Sequence, residues 1–150
     1  MPARRRLLAA ASTALALAAL TGCEKPAPLV TLVSGGQSVY KEANLYCFEE
    51  GATLEGDECA ERAQGATRLE VRPGEPIGVD VGKELVERGW RVQLGTGEDP
   101  NDVSPVLDDQ HYFSFPAPGL PPEGAAFTVS TVDAEERTTG RWLFQLVPKD

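Results

Sequence analysis

The sequence contains one histidine and one methionine, and that methionine is the initiator. A copper site of the cupredoxin type needs two histidines, a cysteine and usually a methionine in the folded chain, so residue supply excludes it. The same scarcity of histidine limits the choice of a general base for hydrolysis. His111 is the only candidate base, and no Gly-x-Ser-x-Gly motif accompanies it. We therefore predict no Ser-His-Asp triad and interpret His111 as an ordinary residue at the head of a strand.

The sequence also lacks an apolar run long enough to cross a bilayer comfortably as a permanent helix. Its longest uncharged apolar stretch, residues 7–20, directly follows the three arginines at residues 4–6. A short positive segment before a short apolar segment is typical of an export signal, which is removed from the mature protein.

Leu20-Thr21-Gly22-Cys23 closes this stretch and resembles the lipobox of bacterial lipoproteins. The resemblance implies that the Cys23 thiol receives a diacylglyceryl group and that residues 1–22 are cut away. Two acyl chains anchor a protein where one binds only marginally. We therefore expect a lipid anchor at Cys23 on the extracytoplasmic face of the cell membrane. The alternative is an ordinary signal peptide that ends in an incidental cysteine.

Basic residues are few once this segment is removed. Residues 1–22 carry three of the fourteen basic residues and no acid, so eleven remain against twenty-three acidic ones, a formal charge of −12. Such a surface argues against nucleic acid and against docking on anionic head groups. We therefore expect the lipid alone to attach the protein to the membrane, with residues 23–28 as a short Pro-containing tether. The rest, residues 29–150, is the length of a single domain.

Cysteine is scarce as well, and the three residues divide into one and two. With Cys23 assigned to lipid, Cys47 and Cys59 remain twelve positions apart in an oxidising compartment. Such a pair predicts a disulfide. The alternative is a redox-active pair, but reactive dithiols usually form Cys-x-x-Cys at the start of a helix.

Short alternating segments between Pro and Gly turns predict strands along most of the chain. The predicted strands are residues 29–33, 39–43, 69–71, 77–81, 90–94, 111–115, 127–132 and 142–146, the last two as a closing hairpin, and residues 45–48 are an apolar segment that carries Cys47. Residues 83–88 predict one or two helical turns that end at Gly89. Residues 49–65 and 95–110 are predicted to be acidic loops, the first with at most one helical turn near residues 60–62.

Seven or eight such strands predict an all-β fold, an immunoglobulin-like β-sandwich, with Trp90 as its core tryptophan. Both paired cysteines precede Trp90 in the chain, so their disulfide cannot be the usual bridge between the sheets. We expect a local cross-link that closes one loop.

Several segments together are similar to an uncharacterised family of small secreted lipoproteins of actinobacteria. They are residues 23–31 (Cys-Glu-Lys-Pro-Ala-Pro-Leu-Val-Thr), Tyr46-Cys47 with Cys59, residues 71–75 (Val-Arg-Pro-Gly-Glu), Gly89-Trp90, and residues 140–146 (Gly-Arg-Trp-Leu-Phe-Gln-Leu). The resemblance spans essentially the whole mature chain. It implies an anchored extracytoplasmic β-domain and transfers no catalytic residue.

The many carboxylates leave two alternative functions open, calcium binding and glycoside hydrolysis. One loop supplies hard oxygen ligands for calcium, although the spacing is not that of an EF-hand; these ligands are Glu98, Asp99, Asn101, Asp102, Asp108 and Asp109. Paired carboxylates across a cleft would serve glycoside hydrolysis, and a sequence does not show such a distance. A solvated acidic loop accounts for the same residues without an ion or a substrate.

The remaining class is binding. Tyr112, Phe113, Phe115 and the turn at residues 116–122 are candidates for an apolar groove, although strand alternation implies that some of them are core. We predict no catalytic residue, no metal ligand and no cofactor. The leading hypothesis is a non-enzymatic lipoprotein that serves as a binding or accessory module for an unidentified envelope protein or ligand. The alternatives are an envelope hydrolase with loop carboxylates and a calcium-binding, adhesion-like domain.

Overall fold

A computed structural model describes residues 25–95 and 100–150 of the chain. The predicted signal, Cys23, Glu98 and Asp99 lie outside the described residues. Two sheets pack face to face, so the predicted all-β sandwich is confirmed.

The described ranges contain eleven strands and one short helix. The strands are β1 (Leu29–Ser34), β2 (Gln37–Glu42), β3 (Leu45–Tyr46), β4 (Ala60–Glu61), β5 (Thr67–Val71), β6 (Pro76–Val81), β7 (Trp90–Leu94), β8 (Asn101–Asp102), β9 (Tyr112–Pro116), β10 (Ala125–Val132) and β11 (Thr138–Pro148); the helix α1 (Lys83–Arg88) lies between β6 and β7.

Sheet A has four antiparallel strands in the order β2-β1-β6-β9. Sheet B has the order β4-β3-β11-β10-β7-β8, with β5 added on β11. Two strands, β3 and β5, pair with the same edge of the long strand β11. β3 pairs antiparallel with residues 140–141, and β5 pairs parallel with residues 144–148.

The strand order agrees with the predicted immunoglobulin-like arrangement. The chain passes from sheet A to sheet B between β2 and β3, between β6 and β7 and between β9 and β10, and it returns to sheet A between β5 and β6 and between β8 and β9. The runs β1-β6-β9 and β7-β10-β11 therefore correspond to the A-B-E and C-F-G strands of such domains. Trp90 begins β7, the C strand, and is fully buried with its Nε1 donating to the Gln110 carbonyl at 2.8 Å. Its predicted place in the core is confirmed.

The core lies between the two sheets because alternate residues of each strand point inward. Sheet A contributes Val30, Leu32, Ile77, Val79 and Val81, and sheet B contributes Val92, Phe127, Val129, Trp142, Phe144 and Leu146. Phe115 of β9 stacks on Phe127 of β10 with ring centroids 5.7 Å apart. This contact joins the sheets directly.

The helix forms where the sequence predicts it. Leu85 is its buried residue, and Gly89 ends it with φ 88°, a backbone conformation that L side chains rarely adopt. Residues 101–102 and 107, expected in a loop, instead pair with β7. Leu107 is buried there and exchanges two backbone hydrogen bonds with Trp90.

The disulfide between Cys47 and Cys59 is present, as predicted, and it lies at one edge of sheet B rather than between the sheets. It brings residue 59 beside the end of β3. The next two residues, Ala60 and Glu61, then pair with β3 as strand β4. The expected helical turn near residues 60–62 is therefore wrong, because the cross-link extends the sheet at this point.

The fold begins before the predicted boundary at residue 29. Ala27 is buried, and its N–H donates to Glu42 Oε1 at 2.6 Å. The Pro28 carbonyl accepts a hydrogen bond from Trp142 Nε1 at 2.9 Å. The last two residues of the predicted tether thus belong to the packed domain. Within residues 25–95 and 100–150, no helix has the length and apolar character needed to cross a bilayer.

Candidate functional site

The outer face of sheet A, which we call the tyrosine face, is lined by the residues that alternate with the core positions of its four strands. These residues are Leu29, Thr31 and Val33 of β1, Ser38, Tyr40 and Glu42 of β2, Pro76, Gly78 and Asp80 of β6, and Tyr112, Ser114 and Pro116 of β9.

The three exposed large hydrophobic side chains of the described residues all lie on this face. Tyr40 is 69% exposed, Leu29 54% and Tyr112 49%. Single exposed apolar residues are normal on protein surfaces, whereas their grouping on one face marks an interaction site. The tyrosine face is therefore the first candidate for recognition.

The register of sheet A aligns four of these side chains in one row. Tyr40 pairs with Thr31, Thr31 pairs with Asp80, and Asp80 pairs with Tyr112. Neighbouring strands lie about 4.8 Å apart, so the row spans about 14 Å from β2 to β9. Tyr40 and Tyr112 thus occupy the two ends of the row, with Thr31 and Asp80 between them.

Gly78 sets the position of the Tyr112 side chain. A Cβ atom built on Gly78 would lie 2.2 Å from the Tyr112 hydroxyl and 2.7 Å from Val33 Cγ2. The absence of a side chain on β6 therefore lets Tyr112 lie across that strand, towards the centre of the sheet. Its hydroxyl stays beside Val33 instead of standing away from the protein.

The charges of the tyrosine face are all negative. Glu42 and Asp80 are its two charged residues, and none of its twelve positions is Lys, Arg or His. Glu42 already accepts the Ala27 N–H. Asp80 is exposed and has no ion pair or side-chain hydrogen bond within the part of the chain described here.

A second feature is a shallow depression of about 400 Å³ beside the disulfide, lined in part by Phe48, Glu49 and Glu58. The Phe48 ring carries the Lys25 ammonium 5.7 Å from its centroid and the Arg62 guanidinium at 5.1 Å. These cation–π contacts hold the first described residues against the edge of sheet B. The depression is open, and Glu49, Asp57 and Glu58 are among its lining residues; they do not form a group of three that could hold a metal ion.

Two further candidates from the sequence, His111 and Asp102, lie outside the tyrosine face. His111 is exposed, with its Nδ1 3.2 Å from the Val81 carbonyl. Asp102 accepts a hydrogen bond from Gln93 Nε2 at 2.8 Å. Among the residues that the structure describes, which do not include Glu98 and Asp99, no three His, Cys, Asp or Glu side chains are grouped to hold a metal ion.

Asp133 is the carboxyl group with a shifted pKa, and it lies at the turn between β10 and β11. Burial raises its pKa, but hydrogen bonds from the Arg137 backbone N–H and guanidinium, with the charge of Arg137, outweigh burial and lower the pKa below its usual value. A general acid in glycoside hydrolysis needs the opposite shift. The contacts of Asp133 therefore assign it to stabilising the turn rather than to acid catalysis.

Sequence reasoning named two members of the tyrosine face, Tyr112 and, within the turn at residues 116–122, Pro116, and it missed the others. Of the predicted aromatic groove, Phe113 and Phe115 pack against the core, while Tyr112 points outward. Tyr40 and Asp80 were missed because each lies in an ordinary alternating segment. The sequence does indicate which residues of each alternating strand face outward. Only the pairing of the strands brings Tyr40, Asp80 and Tyr112 into one row.

The comparisons with known proteins add no relative: no protein-family model matches this chain, and no curated protein matches it.

Proposed function

We propose that the protein is a lipid-anchored, extracytoplasmic binding module of the cell envelope, without enzymatic activity, that recognises its partner through the tyrosine face. The observation that carries the proposal is the grouping of Leu29, Tyr40 and Tyr112, the exposed large apolar side chains of the described residues, on that one face. Tyrosine-bearing sheet surfaces suit recognition, because each ring supplies a large rigid contact area and a hydroxyl.

The lipobox-like sequence before Cys23 supports the anchor, and the start of the packed chain supports a short distance to the membrane. Ala27 is held by Glu42, four positions after Cys23. Four extended residues span at most about 14 Å. A lipid on Cys23 would therefore keep the domain close to the bilayer, and the tyrosine face would meet envelope proteins rather than the bulk medium.

The anchor is tested by the intact mass of protein extracted from membranes, with and without reductant. We expect the mass of a chain that begins at Cys23 plus its acyl groups, and a gain of about 2 Da on reduction of the disulfide. A Cys23→Ser variant should leave the membrane fraction. A mass without acyl groups, on a chain that still carries Cys23, would refute the anchor.

Recognition by the tyrosine face is tested by photo-cross-linking in cells. A photoreactive residue replaces Ser38, which lies on the face, or Glu55, an exposed residue of the disulfide loop, as the matched control. We expect discrete cross-linked products from position 38 and none of the same size from position 55. Identical patterns from the two positions would contradict the assignment of the face.

A further inference from the structure

We propose that the partner of the tyrosine face is a basic protein segment, whose arginine or lysine side chain binds against Asp80 between Tyr40 and Tyr112. This inference rests on the proposed function, because it names the chemistry of the partner that this surface recognises.

Charge complementarity is the first argument. The tyrosine face carries Glu42 and Asp80 and no basic residue at any of its positions. Glu42 accepts a backbone N–H, whereas the Asp80 carboxylate has no ion-pair partner within residues 25–95 and 100–150. An exposed, unpaired carboxylate beside aromatic rings is complementary to a cation that donates several hydrogen bonds, above all to a guanidinium.

The second argument is the position of the two tyrosines. Tyr112 lies on the strand next to Asp80, about 5 Å away in the hydrogen-bonding direction, and Tyr40 lies two strands away on the other side. The Tyr112 ring leans along β6 onto Gly78, the neighbouring β6 residue of the face. We expect the partner's cation, bound to Asp80, to lie towards this ring, because a tyrosine ring attracts a cation within about 6 Å of its centroid. An extended segment of about four residues, crossing the strands, would contact both rings.

The chain already uses the same chemistry internally. The Arg88 guanidinium lies 4.7 Å from the centroid of the Tyr46 ring while donating to the Cys47 carbonyl at 2.8 Å. Arg62 lies over Phe48 at 5.1 Å. On the tyrosine face the rings and the carboxylate are present, and none of the face positions supplies the cation.

Other occupants fit the face less well. An anionic bilayer is repelled by Glu42 and Asp80 and finds no Lys or Arg on the face to attract it. A glycan would stack on the tyrosines without requiring the charge of Asp80. The dependence of binding on charge therefore separates a basic segment from a glycan.

The test uses protein produced from the full chain, purified in mild detergent and labelled for NMR. The probe is a capped Gly-Thr-Arg-Thr-Gly peptide, and its control is the same peptide with citrulline, which keeps the shape of arginine without its charge. We expect the arginine peptide to shift the amide resonances of Tyr40, Asp80 and Tyr112, and the citrulline peptide to leave them unchanged. Equal shifts from both peptides would refute the proposal.

Two substitutions of matched chemistry complete the test. Asp80→Asn should weaken binding of the arginine peptide about three- to fivefold, whereas Glu55→Gln, on the disulfide loop, should leave it unchanged. Both positions are exposed, and unchanged melting temperatures confirm the fold. Equal weakening by the two variants would show attraction by net charge alone and overturn the proposal.

Gly78→Ala gives an independent readout, since the added Cβ displaces the Tyr112 ring without changing a charge. It should also weaken binding of the arginine peptide, and unaltered binding would contradict the predicted role of that ring.

A chitotriose titration addresses the glycan. Shifts of the same tyrosines by chitotriose, without a response to the arginine peptide, would reassign the face and overturn the basic partner. Cross-linking at position 38 without peptide binding would refute the partner chemistry alone. Peptide binding by a protein of unacylated mass would refute the anchor alone.

Discussion

Asn44 joins the edge of sheet B to the segment that leads into β5. Its side-chain oxygen accepts the Leu143 N–H at 2.8 Å, and its Nδ2 donates to the carbonyls of Ala63 at 3.0 Å and Gly65 at 2.8 Å. Asn44 is buried, while its partners Leu143 and Ala63 are half-buried and Gly65 is exposed. Lys41 also donates to the Gly65 carbonyl, and burial lowers the pKa of its ammonium.

Asn44→Ala should lower the free energy of unfolding by about 1–3 kcal/mol, because it removes the side-chain partner of the half-buried Leu143 N–H and Ala63 carbonyl. Lys41→Met is the matched control and should cost less than about 1 kcal/mol, because the Gly65 carbonyl keeps its bond from Asn44. Urea unfolding curves measure both. Equal losses would contradict the assignment of Asn44 as the organising residue.

Asp133 organises the turn between β10 and β11. Its carboxylate accepts backbone N–H groups of Glu135 at 3.1 Å and Arg137 at 2.8 Å, and it pairs with the Arg137 guanidinium at 2.7 Å. The backbone of Glu136 has φ 61°, the left-handed conformation that completes a three-residue hairpin loop. The ionised carboxylate thus favours this turn.

The lowered pKa of Asp133 predicts a pH dependence of stability. A carboxyl group whose pKa is lower in the folded state stabilises fully above its unfolded pKa of about 3.9, and the stabilisation is lost as pH falls through the folded value. Asp133→Asn should therefore be less stable than the native protein at neutral pH, and the difference should shrink below about pH 4. Thermal melts across this range measure it. A constant difference would show that the ionised form is not what matters.

At the scale of elements, the disulfide determines how the edge of sheet B ends. The Cys47–Cys59 bond closes a loop of twelve positions and places β4 beside β3. Other contacts hold the same region: the Thr53 N–H donates to Asp57 at 2.9 Å, and the Leu54 N–H donates to the Thr138 carbonyl at 2.8 Å. The loop is consequently fastened both to itself and to β11.

Reduction of this disulfide should lower the free energy of unfolding by about 3 kcal/mol, because the unfolded chain regains the freedom of the loop. The sandwich itself should persist, since apart from Tyr46 of β3 the core residues of the two sheets lie on strands that the bond does not join. Denaturant curves with and without reductant measure the change, and a Cys47→Ser, Cys59→Ser variant should not respond to reductant. A stability that reductant leaves unaltered would mean that the other contacts alone constrain the loop.

At the scale of the whole molecule, strands with strict alternation were predictable and short paired segments were not. Trp90, Val92 and the closing hairpin carry a clear period of two residues, so their burial follows from the sequence. Strands β3, β4 and β8 have two residues each, too few for any period. They exist because the backbones of β11 and β7 and the disulfide bring them into sheet B, and within the described residues they raise the count from the predicted seven or eight strands to eleven.

The candidate site was less predictable than the fold. The disulfide was predicted from the expected oxidising compartment and the spacing of Cys47 and Cys59, and the bond is present. The tyrosine face was not found, because Tyr40, Asp80 and Tyr112 are about thirty to forty positions apart in sequence and each is only the outward residue of its own strand. Their common row depends on the pairing of β1 with both β2 and β6, and of β6 with β9.

The sequence by itself determined the all-β class, the helix between β6 and β7, the central place of Trp90 and the disulfide, because alternation, capping glycine and cysteine count are local properties. Only the tertiary structure decided that Ala27 belongs to the packed domain, that Phe115 faces the core, and that Tyr40, Asp80 and Tyr112 share a surface. These facts depend on register and packing between distant strands, and a period of two residues assigns each side chain to one of two faces without saying what lies beside it.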